Sequence, residues 1–322
     1  MLAVAASLAI GARPLALPDV IRALLHPDGS ETSIIVHDLR IPRTAVGLCV
    51  GAALAIAGLV MQALTRNPLA EPRILGISAG ASTGVVIAIA AFGVATLAGW
   101  IWFALLGAIA AGALVFTIGL RLTGGGAGSP VTLALTGAAV DACLGAVVYA
   151  VLSTSTSTFD QYRFWAVGSL SGRDLTLVVQ ALPFLAVGAA CAVAVAHGLD
   201  GLALGDEVAV GLGHRVAVVR TVAAVAGVTL TGAAVALAGP IAFVGLAVPH
   251  AARALAARVG AGTRHRFLLP LSALLGATLL LLADTVGRVV HPPGEVPAGV
   301  ITALIGAPLL IVLTRRSKLV TA

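Results

Sequence analysis

The side chains that most often bind metals or catalyse reactions are few and scattered in this sequence. Its seven histidines show no H-x-x-x-H spacing and its three cysteines show no C-x-x-C spacing, so we expect no metal or haem site. There is no G-x-x-x-x-G-K-[ST] motif, and Lys318 is the only lysine, which excludes a P-loop ATP site in this chain. The sequence therefore predicts no catalytic residue and no bound cofactor.

Two polar features interrupt long apolar runs. The first is Arg66-Asn67-Pro68-Leu69-Ala70-Glu71-Pro72, which places charges and two prolines where the chain must turn. The second is Asp141, which lies in the middle of an apolar segment. Because an Asp at the centre of a membrane helix costs about 2.5–3.5 kcal/mol, we expect Asp141 to face a cavity, a polar partner or an interface between subunits. A transport-pathway role and a satisfied structural contact both remain open.

The elements that would hold these residues are membrane helices. Of the 322 residues, 59% are hydrophobic and 10% are charged, whereas a soluble domain has about 25% charged residues. Uncharged runs such as 44–65 and 175–199 exceed the roughly 20 residues that span a bilayer. They are too long and continuous for barrel strands, which alternate over about ten residues. The predicted fold class is an all-α polytopic membrane protein.

About ten helices are predicted, in one domain over residues 1–322. They lie near 1–11, 42–65, 73–93, 97–120, 131–153, 175–197, 216–238, 241–255, 267–284 and 297–314. The first is too short to span, and we interpret it as the end of a helix whose start is missing. Placing both termini in the cytoplasm puts 12 of the 19 Lys and Arg residues on that side, as the positive-inside rule requires. Because these residues lie at helix ends, the net charge of +6 does not indicate nucleic-acid binding.

Several motifs together resemble one protein family. They are Leu39-Arg40-Ile41-Pro42-Arg43-Thr44, the stretch 67–82, Trp165-Ala166-Val167-Gly168-Ser169-Leu170, Gly239-Pro240-Ile241-Ala242-Phe243-Val244-Gly245-Leu246 and Glu295-Val296-Pro297-Ala298-Gly299-Val300. The chain resembles, nearly end to end, the FecCD-type permeases of ABC importers for iron-siderophores, haem and vitamin B12. It departs from that pattern in the missing first half of its first helix.

The resemblance implies the ABC type II importer permease fold, with ten helices in a bacterial inner membrane. It also implies a second permease subunit (homodimer or heterodimer), two cytoplasmic ATPase subunits that hold ATP and Mg²⁺, and an extracytoplasmic substrate-binding protein. Segments 159–165 and 67–82 are most similar to the siderophore branch, so a ferric siderophore is the expected substrate. Haem or cobalamin is the alternative within the family, and an ion-coupled carrier or channel is the alternative outside it.

The resemblance also suggests site residues. Segment 205–215 is similar to the helices that couple such permeases to their ATPases, with the candidates Gly205, Asp206, Glu207, Ala209, Leu212 and Gly213. On the opposite side, Arg40, Arg43 and Arg288 are similar to arginines that pair with glutamates of the binding protein, which suits the guanidinium fork. The pathway candidates are Gly126 and Ser129, in a glycine-rich loop that could move with a gate, and Asp141. For the coupling segment and the glycine-rich loop, the alternative is an ordinary loop. For the three arginines, the alternative is a side chain that reaches the membrane interface.

Overall fold

The chain satisfies its backbone hydrogen bonds almost entirely within helices. The computed structural model describes residues 1–11, 13–122, 130–258, 260, 264–292 and 294–320. No strand occurs in these ranges. In a bilayer, helices can satisfy every backbone group without water, so this architecture follows from the apolar composition. The predicted all-α class is confirmed.

The helices follow one another with short connections. The N-terminal part contains α1 (Leu2–Ala9), α2 (Leu17–Leu25), α3 (Glu31–Ile34), a π-helical turn (Ile35–Arg40) and α4 (Ile41–Thr65). A 3-10 turn (Pro72–Leu75) then precedes α5 (Ile77–Phe92), α6 (Leu97–Leu122), α7 (Pro130–Thr154) and α8 (Thr156–Ala166). The C-terminal part contains α9 (Leu175–Ala203), α10 (Asp206–Gly211), α11 (Val216–Ala238), α12 (Val244–Arg258), α13 (His265–Val290) and α14 (Ala298–Val320).

Six of the described helices have the length and composition to cross a membrane. They are Glu31–Thr65, Leu97–Gly119, Val131–Thr154, Leu175–Ala203, Val216–Ala238 and His265–Val290. Helix α5 and the start of α14 are apolar but shorter. Together with α1 and α12 these helices overlap all ten predicted segments, while the number that crosses the membrane stays a prediction. The sequence did not predict α2 or the polar α8.

Helices α4 and α11 occupy the centre of the bundle. Their most apolar windows are 72% and 78% buried, whereas those of α9 and α7 are 22% and 28% buried. Helix α4 packs against α11, α12 and α13, and α5 packs against α6. The apolar outer faces of α7 and α9 are therefore left for lipid or for another subunit.

Two glycine contacts bring α4 against its neighbours. A Cβ atom on Gly51 would lie 2.4 Å from the backbone oxygen of Gly276 in α13, and one on Gly58 would lie 2.0 Å from that of Gly245 in α12. No side chain fits at these crossings, so the backbones of the three helices touch directly. This close approach allows dispersion contacts to hold membrane helices together.

The elbow at 66–76 forms the predicted turn; it begins at exposed residues 66–68 and then folds back into the bundle. Arg66 is the residue that follows α4, and its φ is +48°. Pro72 then approaches Gly245, which also contacts Gly58, and Gly58 lies seven residues before the end of α4. At 1.5 Å per residue, the elbow returns by about 10 Å along the bundle. Non-helical backbone at such a depth is tolerated where it is buried or lines a water-filled cavity.

Candidate functional site

The predicted coupling segment forms α10, which marks one end of the bundle, the α10 end. The helix follows Gly205 (φ +112°) and is ended by Gly213 (φ +83°), both in backbone conformations that favour glycine. The Asp206 carboxylate accepts hydrogen bonds from Arg66 at the end of α4 and from Arg220 of α11, the latter at 3.1 Å. One carboxylate therefore anchors α10 to the two central helices.

The coupling candidates divide between the two faces of α10. Ala209 is fully buried against the bundle. Glu207 and Leu212 are exposed, as are the neighbouring Val208 and Val210. An exposed apolar face on a helix that is held by ion pairs suits the groove of a partner protein. The coupling role itself stays a prediction.

Buried charges meet at the opposite end of α4, and we call this region the cluster end. Asp284 of α13 is 1% exposed and lies between the guanidinium groups of Arg43 and Arg288. Arg43 Nη2 and Arg288 Nε donate to its carboxylate oxygens at 2.8 and 3.0 Å. Arg43 Nη1 also donates to Glu295, at 2.7 Å. Buried charges are tolerated when they are paired and hydrogen-bonded in this way.

The same cluster holds α1 in place. Arg288 Nη1 donates to the backbone oxygen of Ser7 at 2.7 Å, and the Ser7 hydroxyl is 2.8 Å from that of Thr44. Arg40 donates to the backbone oxygen of Leu8. Because a helix of eight residues is unstable alone, these contacts fix its position.

The three arginines predicted to bind a partner lie in one region, but their guanidinium groups bind acceptors within the chain. Arg40 and Arg288 are 6% and 2% exposed, and the Arg43 side chain is 11% exposed. Asp284 is the shared partner of Arg43 and Arg288; the motif Ala283-Asp284-Thr285 is part of the family resemblance, but the sequence did not assign Asp284 to this site. Docking of a binding protein to these arginines stays a prediction.

A surface pocket of about 460 Å³ opens beside the cluster. It is lined by arginines, three acids and small or apolar residues: Gly11, Arg13, Ile35, Asp38, Leu39, Arg40, Arg43, Ser171, Gly172, Arg173, Asp174, Arg288 and Glu295. Arg173 was not predicted; it is 7% exposed, and its Nε has no hydrogen-bond partner among the described residues. Burial lowers the pKa of Arg173 to about 10, so the group stays charged at neutral pH. The pocket therefore presents positive charge.

One of the three pathway candidates, Asp141, lies in the described part of the chain. Gly126 and Ser129 lie outside the described residues. Asp141 lies midway along α7 on an exposed surface, and within the described parts of the chain its carboxylate has no hydrogen bond or ion pair. An unpaired carboxylate at this depth does not suit lipid, which leaves water or another subunit as its environment.

An open groove of about 580 Å³ runs along α14, and we call it the α14 groove. Its lining is Arg73, Val167, Pro240, Gly299, Val300, Ala303, Leu304, Ala307 and Pro308. Eight of these nine residues are apolar, glycine or proline, and Arg73 carries the charge. The walls come from the elbow, the chain after α8, the loop before α12 and α14 itself. Irregular backbone from three of these segments meets here, as expected beside a cavity in a membrane protein.

A carboxylate joins the elbow to the loop before α12. Glu71 Oε1 accepts a hydrogen bond from the backbone N–H of Phe243 at 2.6 Å. Phe243 has φ +69°, an uncommon conformation for a bulky side chain, and its ring packs against Gly306 of α14. Glu71 therefore fixes a strained loop at the wall of the groove, which is a structural role.

In the described ranges, no three His, Cys, Asp or Glu residues are placed to hold a metal ion. His265, for example, pairs with Asp200 at 2.6 Å. The grooves and pockets thus offer charge, hydrogen-bond donors and apolar walls. These features can bind and guide a molecule without changing its covalent structure.

Comparison with known proteins gives the same family over the whole chain. The family model of the FecCD transport family matches residues 1–316. The chain is 43% identical over 317 residues to the ferric enterobactin transport system permease protein FepD of Escherichia coli (strain K12), covering 98% of this chain and 92% of that protein. It is 39% identical over 312 residues to the Fe(3+)-citrate import system permease protein YfmD of Bacillus subtilis (strain 168), covering 97% and 90%.

Solved structures agree with this relationship. An inward-facing ABC transporter described as of the metal-chelate type superposes with a TM-score of 0.82 at 30% identity, covering 98% of this chain and 95% of that one. The PsaBC protein of Streptococcus pneumoniae shares the fold, with a TM-score of 0.61 at 18% identity over 92% and 95% of the two chains. The chain is a multi-pass inner-membrane permease, and it belongs to the FecCD transport family.

Proposed function

We propose that this chain is the permease subunit of an ATP-driven importer that carries a ferric siderophore across the inner membrane. The observation that carries the proposal is likeness over nearly the whole chain to permeases named for ferric enterobactin and Fe(3+)-citrate. The chain has no P-loop, so ATP and Mg²⁺ are bound by separate subunits.

The assembly contains a second permease subunit, a copy of this chain in the simplest form, with two ATPases and one extracytoplasmic binding protein. The exposed apolar face of α10 supports contact with an ATPase at the α10 end. The basic pocket at the cluster end supports contact with an acidic surface of the binding protein. We propose that the α10 end and both chain termini face the cytoplasm, as the distribution of Lys and Arg residues suggests.

The substrate crosses as an intact chelate. A wide apolar passage with few polar groups suits a large complex that must be released again, and the α14 groove has this composition.

The proposal is tested by reconstituting the chain in proteoliposomes with its ATPase and candidate binding proteins, then measuring uptake of radiolabelled ferric chelates. We expect uptake that needs both ATP and the binding protein. Uptake by the chain alone, driven by an ion gradient, would instead establish a secondary carrier or channel.

Cobalamin is the second candidate substrate. The chain is 42% identical over 285 residues to the cobalamin import system permease protein BtuC of Halobacterium salinarum, covering 88% of this chain and 73% of that protein. The same vesicles, given cobalamin or haem in competition with ferric chelates, decide between the substrates.

A further inference from the structure

We propose that Arg73 is a specificity-determining residue that binds the anionic oxygens of a ferric chelate in the α14 groove. This inference rests on the proposed import of such chelates and adds a residue and a charge preference to it. Arg73 follows Pro72 in the 3-10 turn of the elbow. In the sequence, Arg73 is one of the 12 Lys and Arg residues that the positive-inside rule assigns to the cytoplasmic side.

Arg73 is available for a ligand. Its side chain is exposed in the groove, and the described residues give it neither a hydrogen bond nor an ion pair. The nearby acid is Glu71; its charge acts on Arg73 from a distance, while its Oε1 accepts a hydrogen bond from the backbone N–H of Phe243. Other arginines of the cluster and of the α10 end donate to carboxylates or backbone oxygens inside the chain. Among the described residues Arg73 therefore forms no direct salt bridge, and its guanidinium donors are left for a ligand.

Arg73 is exposed, but it also lies at some depth along the bundle, away from the end of the helices. Gly76, three residues further on, packs against Gly137 and Val140 of α7. These residues are seven to ten positions from the start of α7 at Pro130, which is about 10–15 Å along the helix. An unpaired guanidinium facing hydrocarbon at this depth would be unfavourable. The groove around Arg73 therefore faces water, a polar ligand or another subunit, and we infer that a ligand enters it.

The residues of the groove suit a ligand that carries negative charge and also has an apolar part. One guanidinium can donate two parallel hydrogen bonds to the paired oxygens of a carboxylate or catecholate. The remaining wall, such as Val300, Ala303 and Leu304, is apolar and suits the organic part of a chelator. The volume of about 580 Å³ falls in the range of small-molecule sites. An anionic ferric chelate has both features, whereas an uncharged ferric chelate lacks the net negative charge that strengthens binding to a guanidinium.

The test compares uptake of two classes of chelate by the complete reconstituted transporter. Ferric citrate or a ferric tris-catecholate provides the anionic probe, and an uncharged ferric trihydroxamate provides the other. We expect Arg73→Gln to lower the ratio of anionic to uncharged uptake by about tenfold, the loss typical of one charge-assisted hydrogen bond. Arg73→Lys should retain most of the ratio. Arg266→Gln, which changes an exposed arginine at the start of α13, should leave it unchanged.

Each other outcome is informative. If the wild type imports no ferric chelate, the proposed function fails. If the wild type imports the anionic chelate and Arg73→Gln does so equally well, the role of Arg73 is overturned while the function stands. If Arg73→Gln lowers both uptakes alike, or separates the subunits on gel filtration, Arg73 is a structural or subunit contact. If the wild type transports anionic chelates alone, recovery by Arg73→Lys but not Arg73→Gln supports the inference, and equal loss in both contradicts it.

Discussion

Asp284 holds the charged cluster together, because both Arg43 and Arg288 donate hydrogen bonds to its carboxylate. Its burial is nearly complete, and its oxygens accept from both guanidinium groups. Removing one member of a buried charged network is far more damaging than the net stability of the network suggests, since the remaining charges are left without partners. The cluster is therefore a point at which a single substitution should destabilise the protein strongly.

Asp284→Asn should lower the free energy of unfolding by about 3–5 kcal/mol, because two buried arginines lose their shared counter-charge. Thermal unfolding in detergent, followed by circular dichroism, measures the effect. The matched control is Asp160→Asn, which breaks an exposed pair with Arg163 at 3.3 Å and should cost under about 1 kcal/mol. Equal effects of the two substitutions would show that the cluster adds little stability.

Asp141 is the isolated charge on α7, and we predict that it faces a water-filled passage. With the three native cysteines replaced by serine, Asp141→Cys should react about tenfold faster with a membrane-impermeant maleimide than Leu182→Cys, because thiolates form in water. Leu182 is 53% exposed on the apolar α9. Labelling of the assembled transporter measures the rates. Slow reaction at both positions would place Asp141 in a dry contact between subunits.

The crossings of α4 with α12 and α13 decide how closely the central helices pack. An alanine in place of a helical glycine gains up to about 1 kcal/mol in helix propensity. At Gly58 that gain is opposed by a clash with the Gly245 backbone, which cannot rotate away as a side chain can. Overpacking of this kind costs about 1–3 kcal/mol, so the clash outweighs the propensity.

Gly58→Ala should therefore lower thermal stability, whereas Gly145→Ala should leave it unchanged or raise it slightly. A Cβ atom on Gly145, in α7, would meet nothing within 4 Å. Parallel melting curves of the two variants, with the amount of folded protein in the membrane, give the comparison. A stable Gly58→Ala variant would mean that α4 and α12 can separate without cost.

Helix α4 connects the cluster end of the molecule to the α10 end. At one end Arg43 binds Asp284, and at the other Arg66 binds Asp206 at the start of α10. A displacement of α10 can therefore reach the cluster end through one rigid helix and its ion pairs. Such a path is a physical connection, and coupling along it has to be shown by measurement.

Leu212→Asp should uncouple the complex, because it places a charge on the exposed apolar face of α10 without touching its anchor. We expect ATP-driven uptake to fall by at least about tenfold, the equivalent of one lost apolar anchor at an interface. Uptake and ATP hydrolysis are measured in the same vesicles. Arg266→Glu, at the start of α13, is the control and should keep both activities. Wild-type uptake by Leu212→Asp would remove α10 from the coupling path.

The sequence by itself determined the membrane class, the approximate helix positions and the family, because apolar runs and motifs are local properties of the chain. The family resemblance also located α10, since segment 205–215 is similar to the helices that couple such permeases to their ATPases. Only the tertiary structure decided which charges meet. Asp284 lies 241 residues from Arg43, and Glu71 lies 172 residues from Phe243. Contacts at such separations depend on how helices pack and on where the elbow folds back, and no local pattern encodes either.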